Sequence, residues 1–242
     1  MPIYETGHAR NIEHFQTMIG FVTGWGAAYD PTNAAIELAA LQAKLTAANT
    51  AMDGVVTALA TSKTAVNQRE NAFTGLRKLT TRVVNFYAST GTAKNNVDDA
   101  QSLKRKIDGK RAEQVEDDPS TPEDESANAI SASQQSYTQL VEHFDNLIEL
   151  LSGDPMYNPN EVDLQVANLV TLSGNMKTAN TSVMTSNVAL SNSRIDRDGV
   201  MYAPDTGLVD LALTVKKYAK AAFGADAPQY QQVSGLEFTR PR

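Results

Sequence analysis

Residues 38–73 read LAALQAKLTAANTAMDGVVTALATSKTAVNQRENAF, and the spacing of their apolar side chains decides the fold. Leu38, Leu41, Leu45, Ala48, Met52, Val55, Leu59, Ser62, Val66, Arg69 and Phe73 alternate steps of three and four. That is the seam of a long helix with a period of about 3.5 residues, as in coiled coils. Some 40 residues rising 1.5 Å each predict a rod of roughly 60 Å. Alanine, serine and threonine are common along the seam, so the rod buries little area by itself and needs neighbours.

A second stretch carries the same pattern less cleanly, through Val162, Val166, Leu169, Leu172, Met176, Ala179, Val183 and Leu190. The likeness extends outward and in order. Glu13-His14-Phe15 recurs as Glu142-His143-Phe144, Tyr29-Asp30-Pro31 as Tyr157-Asn158-Pro159, and Ala48-Asn49-Thr50 as Ala179-Asn180-Thr181. Asn67-Gln68-Arg69 aligns with Asn192-Ser193-Arg194, and Thr74-Gly75-Leu76 with Thr206-Gly207-Leu208. Collinear matches of this kind indicate an internal duplication. The expected fold is all-α: an elongated helical bundle of two tandem repeats. Each repeat is a short helix, a long coiled-coil-like helix and a short helix, and approximate twofold pseudo-symmetry relates the two.

The first helix of each repeat is predicted over about 8–23 and 136–152, ending at glycines around Trp25 and at Gly153. In the Tyr-(Asp/Asn)-Pro motif, Asp30 and Asn158 are read as N-caps of the long helices. Pro31 and Pro159 then stand at the first helical position, Tyr29 and Tyr157 before the cap, and Glu161 closes a capping box. A break is predicted near Thr74-Gly75, although the heptad register runs on, because the second copy has a loop there at 202–207. A third helix then runs to about Ser89, with a twin over Leu208–Phe223. Val97–Ile107 is predicted as a further short helix and Val233–Arg242 as an extended tail.

Between the copies, Ala112–Ser126 holds seven acids without a Lys or Arg, together with Pro119 and Pro122. Removing it leaves 21 acids against 21 bases, so the net charge of −7 belongs to this stretch. Its composition reads as a disordered linker. The predicted organisation is therefore repeat 1 over 1–111, acidic linker over 112–133 and repeat 2 over 134–242. The basic cluster Lys104, Arg105, Lys106, Lys110 and Arg111 precedes the acids and is neutralised in cis, so no nucleic-acid partner is expected.

The absence of cysteine excludes disulfides, thiolate catalysis and cysteine metal sites. Three histidines lack ligand spacing, and His14 and His143 read as exposed polar residues beside core Phe15 and Phe144. No phosphate-cradling glycine loop, HExxH or GxSxG elbow is present. Asp196-Arg197-Asp198-Gly199 has too few acids for a calcium loop. Arg69 and Arg194 occupy seam positions in equivalent places and are expected to form a structural pair that fixes the register of the two rods. No cofactor and no metal are expected.

The start, Met1-Pro2-Ile3-Tyr4-Glu5, has no basic stretch followed by an apolar one and is not expected to be a signal peptide, and the apolar run Ile19–Ala28 is too short to span a bilayer. A cytoplasmic protein is expected. With the paired Tyr-(Asp/Asn)-Pro, the Glu-His-Phe starts and the closing GLEFTRPR of residues 235–242, the chain resembles uncharacterised proteins of Bacteroidota genomes. That resemblance implies a bacterial, duplicated, mainly helical protein and no chemistry.

The functional expectation is a non-enzymatic scaffold or interaction protein whose partner is a protein, a second copy of itself included. The first rod, through Leu38, Leu45, Met52, Leu59 and Val66, is the expected contact face. Two other readings stand beside it. One is a membrane-active, pore-forming-like protein using the Trp25 turn; the other is an enzyme with a site between the repeats.

Overall fold

The computed structural model describes residues 3–110 and 135–240. The acidic linker expected over 112–133 lies outside them. Among the described residues every regular element is helical: α1 (Ile3–Trp25), α2 (Leu38–Phe73), α3 (Leu76–Ser89), α4 (Lys94–Asp108), α5 (Tyr137–Ser152), α6 (Val166–Tyr202), α7 (Leu208–Phe223) and α8 (Pro228–Ser234). Short 3-10 turns at Gly26–Ala28, Ala34–Ile36 and Val162–Leu164 complete the order.

The chain packs as two compact units, residues 1–62 with 186–242, and residues 63–185. Compactness thus divides it differently from a cut at the acidic stretch. Each unit holds the start of one long helix and the end of the other. In the first unit α8 packs on α7 and α1, and the 34–36 turn packs on α7. The core there gathers Phe15, Met18, Leu41, Met201, Leu208 and Val215, all fully or almost fully buried. In the second unit α4 packs on α5 and α3, and the 162–164 turn packs on α3. Its core gathers Val83, Tyr87, Ile107, Phe144, Leu147 and Leu169.

The long helices start later than the capping reading placed them. α2 begins at Leu38 and α6 at Val166, so Asp30 and Asn158 are not their N-caps and Pro31 and Pro159 are not at a first helical position. Glu161 makes no side-chain cap, and Asn33 instead caps the 34–36 turn through a bond from the Ala35 amide at 3.0 Å. The tertiary role of the motif explains the difference. Tyr29 is buried and its hydroxyl donates to the Ile36 carbonyl at 2.7 Å; Tyr157 is buried and donates to the Leu164 carbonyl, also at 2.7 Å. Each tyrosine braces a turn of irregular backbone ahead of its helix, supplying the partner that the carbonyl would otherwise lack. Burial raises both phenols, that of Tyr157 to about 12.

The break after α2 falls where it was predicted. Gly75 adopts φ +84°, a left-handed conformation that a side chain would strain. After α6, Gly207 is required for a different reason: a Cβ there would stand 2.7 Å from the Ala203 backbone. α4 extends beyond the predicted 97–107, and where an extended tail was expected from Val233 the chain is helical through Ser234, turns at Gly235 with helical φ and ψ, and carries no regular structure over 236–240.

Candidate interaction surface

On α2 the innermost positions are Leu41, Ala48, Val55 and Ser62, seven residues apart and all buried. Leu38, Leu45, Met52, Leu59 and Val66, the expected contact face, are each half-buried. Leu38, Leu45 and Met52 are committed to the core of the first unit. The five therefore flank the seam rather than lie opposite it, and they do not form an open apolar face. Val56 is the large apolar residue of α2 that stands out, 59% exposed.

α6 is built differently. Its buried heptad runs Leu169, Met176, Val183, Leu190 and Arg197. Outside that seam, Val170, Met184, Val188 and Ile195 are exposed by 53, 64, 56 and 65%. At about 100° per residue, Val170 and Met184 fall within about 40° of one another on the helical wheel, and Val188 and Ile195 within about 20°. Val170 and Met184 belong to one unit and Val188 and Ile195 to the other. Lys177, on the same side of the wheel, pairs with Asp145 at 2.8 Å, and the Asp145 carboxylate also accepts from Ser173.

The charged seam residues are Arg69 and Arg197, not Arg69 and Arg194. Arg194 is exposed, whereas Arg197 is buried and pairs with Asp198 at 2.9 Å. Both seam arginines lie 28 residues beyond a buried leucine, Leu41 and Leu169. The matching Asn-x-Arg triplets had set the register three residues off. The Arg69 guanidinium lies over the Tyr137 ring, 4.1 Å from its centre, so the aromatic face accommodates the charge.

The histidines also depart from expectation. His143 is buried, only 7% exposed, and its Nε2 has no hydrogen-bond partner. Burial, with Lys106 nearby, lowers its pKa. His14 is half-buried, and its Nδ1 donates to the Glu237 carbonyl at 2.6 Å. Trp25 packs edge-on to Phe223, ring centres 5.2 Å apart, and donates from Nε1 to Gln232 at 2.9 Å. The Trp25 turn is thus a packed corner of the first unit. Among the described residues no helix is long and apolar enough to cross a membrane.

Two polar constellations complete the survey. Asp154 accepts from Tyr87 at 2.6 Å, Thr92 at 2.5 Å and the Met156 amide at 2.9 Å, which together lower its pKa to about 2. These bonds tie the turn after α5 to α3 and to the loop that follows it. A cavity of about 620 Å³ lies beside the α2–α3 break, lined by Phe73, Ile107, Tyr137 and Leu140. The polar reach of Arg77 at its edge is spent on the Ile107 carbonyl and on Gln135. No cluster of three or more His, Asp or Glu side chains able to hold a metal occurs among the described residues.

Compared with protein-family models, curated proteins and solved structures, the chain matches none.

Proposed function

We propose that the protein is a duplicated, non-enzymatic helical scaffold of the cytoplasm that associates with a second copy of itself through the exposed side of α6. Three recurrences at a spacing of 128 residues support the duplication. The Tyr29–Ile36 bond recurs as Tyr157–Leu164, the buried heptad of Leu41 as that of Leu169, and the seam arginine Arg69 as Arg197. The observation that carries the interaction reading is what stands opposite the seams. Val170, Met184, Val188 and Ile195 on α6 correspond to Gln42, Val56, Ala60 and Asn67 on α2. The two copies keep equivalent inner faces, while α6 presents four large apolar residues where α2 presents Val56 and Ala60 beside Gln42 and Asn67. Large exposed apolar side chains sharing one side of a helix mark a contact surface, whereas scattered ones do not. Outside residues 112–126 acids and bases balance, so the net charge of −7 lies within that stretch and away from α6 in sequence.

The test uses the absence of native cysteine. An Ile195→Cys variant takes a single spin label on otherwise unlabelled protein. Dipolar coupling between copies, removed by dilution with unlabelled chain, is the expected result. Absence of coupling at high concentration contradicts the proposal.

A further inference from the structure

The cavity of about 620 Å³ beside the α2–α3 break lies wholly within the second unit. Much of its lining is apolar. Ile107 is fully buried, and Phe73, Tyr137 and Leu140 are half-buried, the rings of Phe73 and Tyr137 standing edge to face with centres 4.8 Å apart. One wall is fastened by polar bonds. Arg77 Nε donates to the Ile107 carbonyl at 3.3 Å and Nη2 to the Gln135 side chain at 3.1 Å, while Gln135 Nε2 donates to the Lys106 carbonyl at 2.7 Å. The start of α3, the end of α4 and the approach to α5 are thus tied to one another, and the cavity is preformed.

Its charges are unequal. Arg77 and Lys78 face the single carboxylate of Glu70, and the Arg69 guanidinium lies on the Tyr137 ring with its Nε buried and lacking a hydrogen-bond partner. Lys78 and Glu70 are both exposed, and neither has an ion-pair partner among the described residues. An apolar cavity with a cationic surplus at its edge is complementary to an apolar molecule bearing one negative charge.

The first unit supplies a contrast that rests on the duplication proposed above. There Asn11 and Asp210 stand at the positions of Leu140 and Lys78. Asn11 is buried; its Nδ2 donates to the Thr239 carbonyl at 2.7 Å and to the Tyr202 hydroxyl at 3.4 Å, and its Oδ1 accepts from the Thr239 amide at 3.0 Å. Asp210 accepts from the Arg240 guanidinium at 2.6 Å. In the second unit a leucine replaces the amide that holds a main chain, and a lysine replaces the acid that holds a cation.

We infer that the cavity is a binding site for a small monocarboxylic acid with an apolar body. The carboxylate lies at Lys78 and the hydrocarbon against Phe73, Tyr137 and Leu140, while Glu70 disfavours a second negative charge on the ligand. The site needs neither Val188 nor Ile195, so its failure would leave association through α6 standing.

Calorimetric titration of the full chain with decanoate, below its micelle concentration, tests the inference. Saturable binding at one site per chain is expected, with decylammonium and decanedioate at least tenfold weaker. Lys78→Glu should weaken decanoate at least tenfold. Thr74→Trp, which sets a large side chain at the cavity without changing charge, should do the same. Lys217→Glu, the same charge change at an exposed position of the first unit, should leave the affinity within twofold. Circular dichroism establishes that each variant is folded; if Lys78→Glu is not, Lys78→Gln should weaken binding severalfold. No saturable heat from decanoate, equal affinity for decanoate and decylammonium, or unchanged affinity in the folded Lys78 or Thr74 variants overturns the inference.

Discussion

The phenol of Tyr157 donates to the carbonyl of Leu164, seven residues on, in a buried hydrogen bond of 2.7 Å. Tyr29 stands in the same relation to Ile36. Pro159 and Pro31, both buried, lie within the braced turns. Removing either hydroxyl leaves a buried carbonyl unpaired. Tyr157→Phe and Tyr29→Phe should each cost about 1–2 kcal/mol, measured by urea unfolding. Equal costs would support the equivalence of the two motifs, and a negligible cost for one would count against it.

The two helix breaks depend on glycine for different reasons and should respond differently. At Gly75 an alanine would be forced into a left-handed backbone, at a cost of about 1–2 kcal/mol. At Gly207 the added methyl would meet the Ala203 backbone, which must shift. Gly207→Ala should therefore lower the thermal midpoint more than Gly75→Ala. The reverse order would mean that the turn after α6 yields easily.

Much of this architecture is legible along the chain. The buried heptads of α2 and α6 are visible because a seam repeats every seven residues whatever packs against it. Leu208–Phe223 is bounded by Gly207 and Gly224, and Leu76–Ser89 begins after Gly75. What misled was local grammar applied where a tertiary bond rules. Asp30-Pro31 has the form of a helix start, yet the helix waits until Leu38 because the Tyr29 hydroxyl holds the intervening backbone. The union of Asn11 with Thr239 has no signal in sequence, since neither residue type nor spacing relates positions so far apart. The exposed side of α6 could have been found by asking which apolar residues lie off the seam; Val188 and Ile195 answer that question directly.

Acid should act on the second unit in two stages. His143 has a folded pKa below the ordinary 6.5, so the unfolded chain takes up its proton first. The stability this buried neutral ring permits is complete above pH 6.5 and declines as pH falls toward the folded value. Glu142 and Lys106 are the charges acting on it. Asp154, lowered from 3.8 to about 2, contributes stability that is present above pH 3.8 and lost as pH falls toward 2. His143→Leu should remove the first decline and leave the second; Asp154→Asn should do the opposite. Urea midpoints across pH would resolve the two. Unchanged pH dependence in His143→Leu contradicts the first assignment.

Arg69 and Tyr137 offer a check on how the seam charge is tolerated. With the guanidinium 4.1 Å above the ring, Tyr137→Ala removes the aromatic face and leaves a half-buried charge beside it. The loss should be about 1–3 kcal/mol, combining lost packing and lost cation–π attraction. Arg69→Met in the Tyr137→Ala background should recover part of it, because no charge is then left there. Failure of the second change to help would show that packing alone accounts for the loss.

Sedimentation velocity over a hundredfold range of concentration, comparing the unmodified chain with Val188→Glu, Ile195→Glu and with the control Val56→Glu on α2, tests the central claim most directly. Self-association through α6 predicts a concentration-dependent rise in mass for the unmodified chain and for the α2 control, and a monomer throughout for the α6 variant. A strictly monomeric unmodified chain, or an α6 variant that associates as strongly as the unmodified one, would contradict it.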